Sequence, residues 1–363
     1  MTDRPFTIRD YLEHRFEHHE PDLLCRATSK REHAEWRRRF VRRLKRALGR
    51  GPNPVALNPE KVLEVEVPGE DVAVRAEKIV FDSSPGMSVP AWVLLPPGCG
   101  AQTPAPAVFL IVGHSGENQQ PHGRIVDQTS GKAWGVGLLP DGSPCGTRYH
   151  NDIGQHLARA GFVVYCQDFL GFGERAGTPH YMRNLWNHCC NLVNEAFVLF
   201  DEINLPGVHF HDVQRGLEYL ASRPDVDARR IGMIGCSLGG MWTSYVSAID
   251  RRIKAAVSVC SYPNLRYHVL GEKLGLCGAQ TIPGIAAFAD LATPMSAIAP
   301  RPLLVQIGKH DPGMSPENAR QPCESVLEVY RMLGREDRFA IDEFDGAHEI
   351  NVKTAVGWFR QWL

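Results

Sequence analysis

The stretch RIGMIGCSLGG at residues 230–240 decides the fold of this chain. Its first half is typical of a short buried strand, and the turn that follows leads into a helix from Leu238. The residues Gly-Cys-Ser-Leu-Gly match G-x-S-x-G, a pattern that places a serine on a sharp strand-to-helix turn. Side chains two positions before and after the serine would crowd that turn, and glycine removes them. We therefore interpret Ser237 as a nucleophile; an idle serine in a glycine-rich turn is the alternative.

Predicted strands alternate with helices on both sides of this motif. The apolar runs are AVFLIV (107–112), FVVYCQD (162–168), IKAAVSVC (253–260), RPLLVQIG (301–308) and RFAIDEF (338–344). Short apolar strands separated by helices indicate a mostly parallel central sheet with helices on both faces. The sequence therefore predicts an α/β fold, in which the carboxyl ends of the strands carry the functional residues.

A base and an acid that could activate the serine follow later strands. A serine hydroxyl is a weak nucleophile until a base takes its proton. His348 follows the final predicted strand, near the start of a predicted helix, and Asp311 follows the strand before it. Their order after Ser237 is the one expected of this motif, and Asp311 would hold the imidazole in the useful tautomer. Asp345 is the second candidate for the acid.

Donors for a developing oxyanion are expected at two backbone positions. The helix after the turn would aim the Leu238 N–H at the substrate oxygen. A second N–H should follow the strand AVFLIV, where we predict Ser115, with His114 as the alternative. Aromatic and histidine residues of two long loops are candidates for the walls of the substrate pocket: His114, Trp134, Tyr181 and Trp186.

These motifs resemble the α/β-hydrolase superfamily over about residues 75–363, and within it the bacterial esterases related to acetyl xylan esterases and dienelactone hydrolases. The stretches that carry the resemblance are DFLGFGER (168–175), RPDVDARRIGMIGCSLGG (223–240), GKHDP (308–312) and GAHE (346–349). The turn is also similar to that of glucuronoyl esterases, which have arginine where this chain has Leu238. Dienelactone hydrolases have cysteine where this chain has Ser237.

The resemblance implies an α/β-hydrolase fold and hydrolysis of a carboxylic ester, such as an acetyl ester of a sugar or of another small soluble molecule. The same three side chains could cleave an amide, a thioester or a C–C bond next to a carbonyl. A non-catalytic binding protein with this fold is a lesser alternative. We expect neither a metal nor an organic cofactor, since the adjacent Cys189 and Cys190 have no second Cys-x-x-Cys pair.

The composition of the chain limits the classes of partner that it is expected to bind. With 40 basic and 41 acidic side chains the net charge is -1, so no global field attracts nucleic acid or membrane. No apolar run has the length of about 20 residues that a membrane span needs. The first 20 residues lack the apolar segment of a secretory signal, and we expect a cytoplasmic protein with a small-molecule ester substrate. Assembly into a homo-oligomer stays open.

We divide the chain into an N-terminal helical extension at residues 1–58 and a hydrolase domain at residues 59–363, with insertions at 114–149 and 172–206. The extension has an apolar stripe at helical spacing: Trp36, Phe40, Val41, Leu44 and Leu48. We expect this stripe to pack beside the chain's own sheet and to contribute to subunit contacts. The opposite face is basic. We interpret it as a solvated face paired with nearby acids; an anionic partner is the alternative.

Overall fold

The computed structural model describes residues 7–69, 72–113, 136–138, 141–143, 152–175, 188–200, 203–261, 263–271, 276–313 and 315–363. These residues contain one nine-stranded sheet. Its strands are β1 (Glu60–Val67), β2 (Val74–Ser84), β3 (Met87–Leu95), β4 (Ala105–Ile111), β5 (Val163–Gln167), β6 (Val226–Cys236), β7 (Ile253–Val259), β8 (Leu303–Gly308) and β9 (Phe339–Phe344).

The strands lie in the order β1-β2-β3-β5-β4-β6-β7-β8-β9. The first three form an antiparallel meander, and β3 pairs antiparallel with β5. From β5 onward every neighbouring pair is parallel. Parallel strands end at the same edge, so the segments that follow β6, β7, β8 and β9 meet there. The predicted mostly parallel sheet is confirmed.

Helices cover both faces of the sheet. The described helices are α1 (Ile8–His18), α2 (Lys30–Leu48), α3 (Ile153–Arg159), α4 (His188–Phe200), α5 (Leu205–Ser222), α6 (Leu238–Ile249), α7 (Leu265–Leu270), α8 (Ile285–Phe288), α9 (Thr293–Ile298), α10 (Pro316–Met332) and α11 (Val352–Trp362). None of them combines the length and the apolar character that a helix needs to cross a bilayer.

The core has two layers, one on each side of the sheet. Successive side chains of a strand point to opposite faces, and β4 shows this with Val108 in one hydrophobic cluster and Phe109 in the other. Both residues are fully buried. Central strands that are apolar on both faces can exist only under helices, and this explains the uninterrupted apolar runs in the sequence.

The predicted N-terminal stripe packs on the chain's own hydrolase core. Trp36, Phe40, Leu44 and Leu48 are buried and belong to the same cluster as the central strands, while Val41 packs at its edge. Helix α2 contacts α5, α6 and α9. Of the predicted insertions, residues 136–138, 141–143, 172–175, 188–200 and 203–206 are described, and Val136 and Leu138 among them are buried. The packing of α2 accounts for its stripe without a second subunit, and the predicted subunit contact stays a prediction.

Candidate active site

Ser237 occupies the turn between β6 and α6. Its φ of 60° and ψ of −123° lie outside the regions that L residues favour, a strain that persists only where the surroundings enforce it. Its N–H donates to the Val259 carbonyl at 2.9 Å, which ties the turn to β7. The Ser237 side chain is partly exposed, whereas Cys236 is fully buried and burial raises the pKa of its thiol. The turn therefore presents the hydroxyl to a ligand and keeps the Cys236 thiol inside.

Two glycines make this turn sterically feasible. A Cβ on Gly235 would lie 2.4 Å from the Gly239 carbonyl oxygen, and a Cβ on Gly239 would lie 2.2 Å from the Ile111 oxygen. Both distances are far below any contact between unbonded heavy atoms. The G-x-S-x-G spacing is therefore a packing requirement of this particular turn, as the sequence predicted.

His348 and Asp311 come together beyond the ends of β9 and β8. Nδ1 of His348 lies 2.8 Å from Oδ2 of Asp311, with side chains 22% and 4% exposed. The two loops are in contact, because the His310 N–H donates to the Gly346 carbonyl at 2.9 Å and a Cβ on Gly308 would lie 1.9 Å from the Ala347 oxygen. His348 lies in the loop before α11, which begins at Val352 rather than at the histidine as expected.

The rival acid, Asp345, has a different partner. Its Oδ1 lies 2.8 Å from Nε2 of His310, and both side chains are largely exposed. Each histidine therefore pairs with the aspartate of the other loop: His348 with Asp311, and His310 with Asp345. Among the candidates weighed from the sequence, Asp311 is the carboxylate that this structure places on His348.

Cys260, at the end of β7, is a neighbour of this pair that the sequence analysis did not single out. Its φ of 44° lies in the left-handed region. Its thiol donates to the carbonyls of Ala347 and Glu349 at 3.9 and 3.8 Å, on either side of His348. One atom each of Cys260, Asp311 and His348 lie within 4.8 Å of one another, and among the described residues this is the one group with the ligand types of a metal site.

Electrostatics in this group favour an imidazolium beside anions. Burial alone lowers the pKa of His348, but hydrogen bonds to Asp311 and Cys260 outweigh burial and raise it above the usual value. Hydrogen bonds from Cys236 and His348 lower the pKa of the Cys260 thiol against the effect of burial. Burial acts against ionisation of Asp311 too, and its bond to His348 lowers the pKa of that carboxyl. The site can therefore hold a proton on His348 and stabilise it.

Of the remaining predicted site residues, one is described and five are not. Leu238 is the first residue of α6 and is buried; N–H groups at this position have no partner within a helix. Ser115, His114, Trp134, Tyr181 and Trp186 lie outside the described residues. The described residues therefore include the predicted nucleophile, base, acid and first oxyanion donor, whose roles stay predictions.

The sequence around Asp168 supports the edge of the sheet. Nη1 of Arg175 lies 2.8 Å from Oδ2 of Asp212, on α5, and 3.1 Å from the Asp168 carbonyl. Nζ of Lys78 lies 2.7 Å from Oε2 of Glu174. The Asp168 carboxylate accepts the Glu174 N–H at 2.9 Å. These contacts join β2, the loop after β5 and α5.

Comparisons with known proteins agree with this architecture. A family model described as "Dienelactone hydrolase family" matches residues 132–321, just over half of the chain. The protein named "Putative hydrolase YtaP" from Bacillus subtilis (strain 168) is 25% identical over 326 residues, which cover 89% of this chain and 98% of that protein. Two solved structures share the fold. A glucuronoyl esterase from Solibacter usitatus has a TM-score of 0.61 at 16% identity, covering 94% of this chain and 97% of its own.

The second structure is acetyl xylan esterase 1 from Thermoanaerobacterium sp. JW/SL YS485. Its TM-score is 0.54 at 16% identity, and the match covers 88% of this chain and 98% of its own. The sheet order and the strained serine turn define the class: this is an α/β-hydrolase fold. The chain belongs to the dienelactone hydrolase family, and it is a carboxylic ester hydrolase.

Proposed function

We propose that Ser237, His348 and Asp311 form a catalytic triad that hydrolyses a carboxylic ester through an acyl-enzyme. The observation that carries the proposal is the 2.8 Å contact between His348 Nδ1 and Asp311 Oδ2. With Nδ1 held by Asp311, Nε2 is the ring nitrogen to which we assign the proton transfer. Both residues lie beside the end of β7: the Ser237 N–H donates to the Val259 carbonyl, and the Cys260 thiol donates to the carbonyls of Ala347 and Glu349, which flank His348.

The reaction that we propose is acyl transfer through Ser237. Nε2 of His348 takes the Ser237 proton as Oγ attacks the ester carbonyl. Asp311 stabilises the imidazolium that results. The Leu238 N–H donates to the oxyanion, and we place the Ser115 N–H as its second donor. His348 next protonates the leaving alcohol, and a water that gives its proton to His348 releases the acid from Ser237.

We place the substrate among short-chain esters of small molecules, with an acetyl ester of a sugar as the leading candidate. The neighbours of this fold act on esters, as the names acetyl xylan esterase and glucuronoyl esterase state. This chain has the apolar Leu238 directly after the nucleophile, where glucuronoyl esterases have arginine. An uncharged acyl group fits that difference better than a uronic acid does.

Replacement of Ser237 by alanine tests the triad. We expect Ser237→Ala to lower kcat on p-nitrophenyl acetate by roughly 10⁶-fold, as seen for a triad serine elsewhere, and to abolish labelling by a fluorophosphonate probe. The matched control is Ser261→Ala, because Ser261 lies near the same sheet edge but is buried and bonded to Ser258 at 2.8 Å. Labelling that survives in Ser237→Ala and disappears in Ser261→Ala would refute the assignment.

A substrate panel tests the bond that is cleaved. We expect the native protein to turn over p-nitrophenyl acetate and acetylated sugars faster than p-nitroacetanilide or an acetyl thioester. A preference for the anilide or the thioester, with labelling of Ser237 intact, would keep the triad and replace the ester by another acyl compound.

A further inference from the structure

A surface cavity of about 630 Å³ lies beside the first half of α2, away from the candidate active site. Its walls contain five side chains that are cationic at neutral pH: Lys30, Arg37, Arg38, Arg251 and Arg335. The apolar part of the wall consists of Ala34, Ala299, Pro300 and Leu333. Among the described residues that line it, none is acidic. The cavity is therefore strongly positive and has an apolar side.

The acids expected to neutralise the basic face of α2 are engaged elsewhere. Glu13 pairs with Arg9, Glu17 with Arg266, and Glu20 with Arg26. Within the described part of the chain, no basic side chain of α2 forms an ion pair, although arginines on other elements commonly do. The basic face of α2 is exposed, as we interpreted it, but among the described residues it is not paired with nearby acids, and an anionic partner stays the alternative.

One cation of the cavity has a structural task. Arg37 donates to the carbonyls of Ala297 and Ala248 at 2.7 Å each, at the C-terminal ends of α9 and α6. Arg301, next to the cavity residue Pro300, donates to the carbonyls of Asp250 and Ile253 at 2.9 and 2.6 Å. The Ala248, Asp250 and Ala297 carbonyls lie at the C-terminal ends of helices, where cations are favoured. No carboxylate lines the cavity itself, although the charge of Asp250 acts on Arg301.

The positive charges are close enough to act on one another. Burial lowers the pKa of Arg37, and the charge of Arg251 lowers it further. Burial also lowers the pKa of Arg301 to about 10, with Arg37 as the next cause. Gathering cations in this way costs free energy in the empty protein. A bound anion would recover that energy, since opposite charges at short range favour one another.

The exposed cations of the cavity retain N–H groups that, among the described residues, bind no protein acceptor. Lys30, Arg38 and Arg251 are exposed and, among the described residues, donate to no protein acceptor. Arg335 gives one N–H to the Gly334 carbonyl at 3.2 Å and keeps the others. A guanidinium presents several N–H groups in a planar fork that matches phosphate oxygens. The arrangement suits a ligand with several negative charges close together.

We propose that this cavity binds an organic polyphosphate of the size of a nucleoside triphosphate. The phosphates would lie among Arg38, Arg251 and Arg335, and the organic part against the exposed Ala34 and Pro300. A volume of 630 Å³ lies within the range of about 300–1,000 Å³ usual for small-molecule sites. Five cations without an acid exceed what a single carboxylate or phosphate would require.

The site is separate from ester hydrolysis. Ser237 precedes α6, and the Ala248 carbonyl that Arg37 binds is near its other end. A helix of this length spans about 18 Å at a rise of about 1.5 Å per residue. The inference therefore does not depend on the proposed function, and binding can be measured without any ester.

Calorimetric titration of the full chain with ATP, tripolyphosphate and adenosine tests the proposal at low ionic strength. We expect saturable binding of ATP, weaker binding of tripolyphosphate, and none of adenosine. Arg38→Gln and Arg251→Gln should each weaken ATP binding at least tenfold. The matched control is Arg39→Gln, on the same helix but outside the cavity, which should change the Kd less than twofold.

Three outcomes would overturn the inference. The first is absence of saturable ATP binding at 1 mM with a protein that circular dichroism shows to be folded. The second is an equal loss in Arg39→Gln and Arg38→Gln, which indicates diffuse attraction to a basic surface. The third is binding of heparin with no binding of ATP, which assigns the face to a polymeric anion. Equal affinity for ATP and tripolyphosphate would remove the organic part from the proposal.

Discussion

Two carboxylate–cation pairs in this protein have the same length and very different surroundings. Arg175 and Asp212 lie 2.8 Å apart with side chains 4% and 1% exposed. His348 and Asp311 also lie 2.8 Å apart, but the histidine is 22% exposed. The first pair is buried and sealed from solvent, whereas the second is open to solvent through the histidine. The difference in access, rather than in distance, separates a structural pair from one that can exchange a proton with a substrate.

The sealed pair is part of a network with fixed partners. Asp212 accepts from the Ser83 hydroxyl, and Arg175 also donates to the Asp168 carbonyl. Neither charge can be removed without leaving the other buried and unpaired, which is costly. In the open pair the histidine faces a thiol on one side and solvent on another, and its proton can move. The following predictions separate the two kinds of pair, beginning with the largest effect.

Asp311→Asn should lower kcat for ester hydrolysis by about 10⁴-fold, the effect of the equivalent change in a well-studied triad. The amide favours the wrong tautomer of His348 and cannot stabilise its cation. Asp345→Asn is the control, since Asp345 bonds His310 instead. Steady-state kinetics on p-nitrophenyl acetate distinguish the two; a larger loss in Asp345→Asn would exchange their roles.

Asp212→Ala should reduce the free energy of unfolding by about 3–5 kcal/mol, because it strands the buried Arg175 charge. Urea denaturation measures this loss. The kcat of the fraction that remains folded should stay within a few-fold of the native value. A stable variant with lost activity would show that the sealed pair acts on the reaction, and the comparison between the pairs would fail.

Cys260→Ser should move the acid limb of the pH–rate profile toward lower pH. The Cys260 thiol helps to raise the pKa of His348, and the reaction needs His348 neutral. A serine hydroxyl keeps a hydrogen bond but supplies no negative charge, so His348 loses its proton at a lower pH. Cys260→Asp retains a charge and should keep the limb nearer its native position. An unchanged profile in both variants would exclude the thiol from the titration.

Glu343→Gln should change the free energy of unfolding by less than about 1 kcal/mol, as is usual for exposed ion pairs. Glu343 pairs with Arg320 at 2.6 Å, but the two side chains are 28% and 47% exposed. Denaturation in parallel with Asp212→Ala gives the contrast. A loss as large as that of Asp212→Ala would mean that burial does not set the strength of ion pairs in this protein.

Local patterns in the sequence predicted the serine turn and the order of its partners. Gly235 and Gly239 are required by steric contacts that any such turn would have. His348 and Asp311 follow the predicted strands RFAIDEF (338–344) and RPLLVQIG (301–308), respectively. These features depend on short segments, so a reading of neighbouring residues was enough to find them.

Features that depend on distant contacts were not predictable in the same way. The thiol of Cys260 reaches His348 because the backbone takes a positive φ after β7, and no nearby glycine or asparagine signals that turn. Arg175 binds Asp212, 37 positions later along the chain, and no local pattern identifies this partner. Of the acids near α2, Glu20 pairs with Arg26 on its own loop, and Glu17 pairs with Arg266 on α7. Which side chains pair across elements depends on the three-dimensional fold, and local sequence patterns do not specify it.

The packing of α2 also has a consequence for the synthesis of the protein. Phe40 meets Phe288 with ring centroids 6.3 Å apart, yet roughly 250 residues of chain separate them. At about 5–20 residues per second, a ribosome needs about 10–50 s to make the second after the first. Throughout that interval the apolar stripe of α2 has left the ribosome before its final neighbours exist. Early shielding of this helix, by a chaperone or by transient contacts, would therefore govern the yield of folded enzyme.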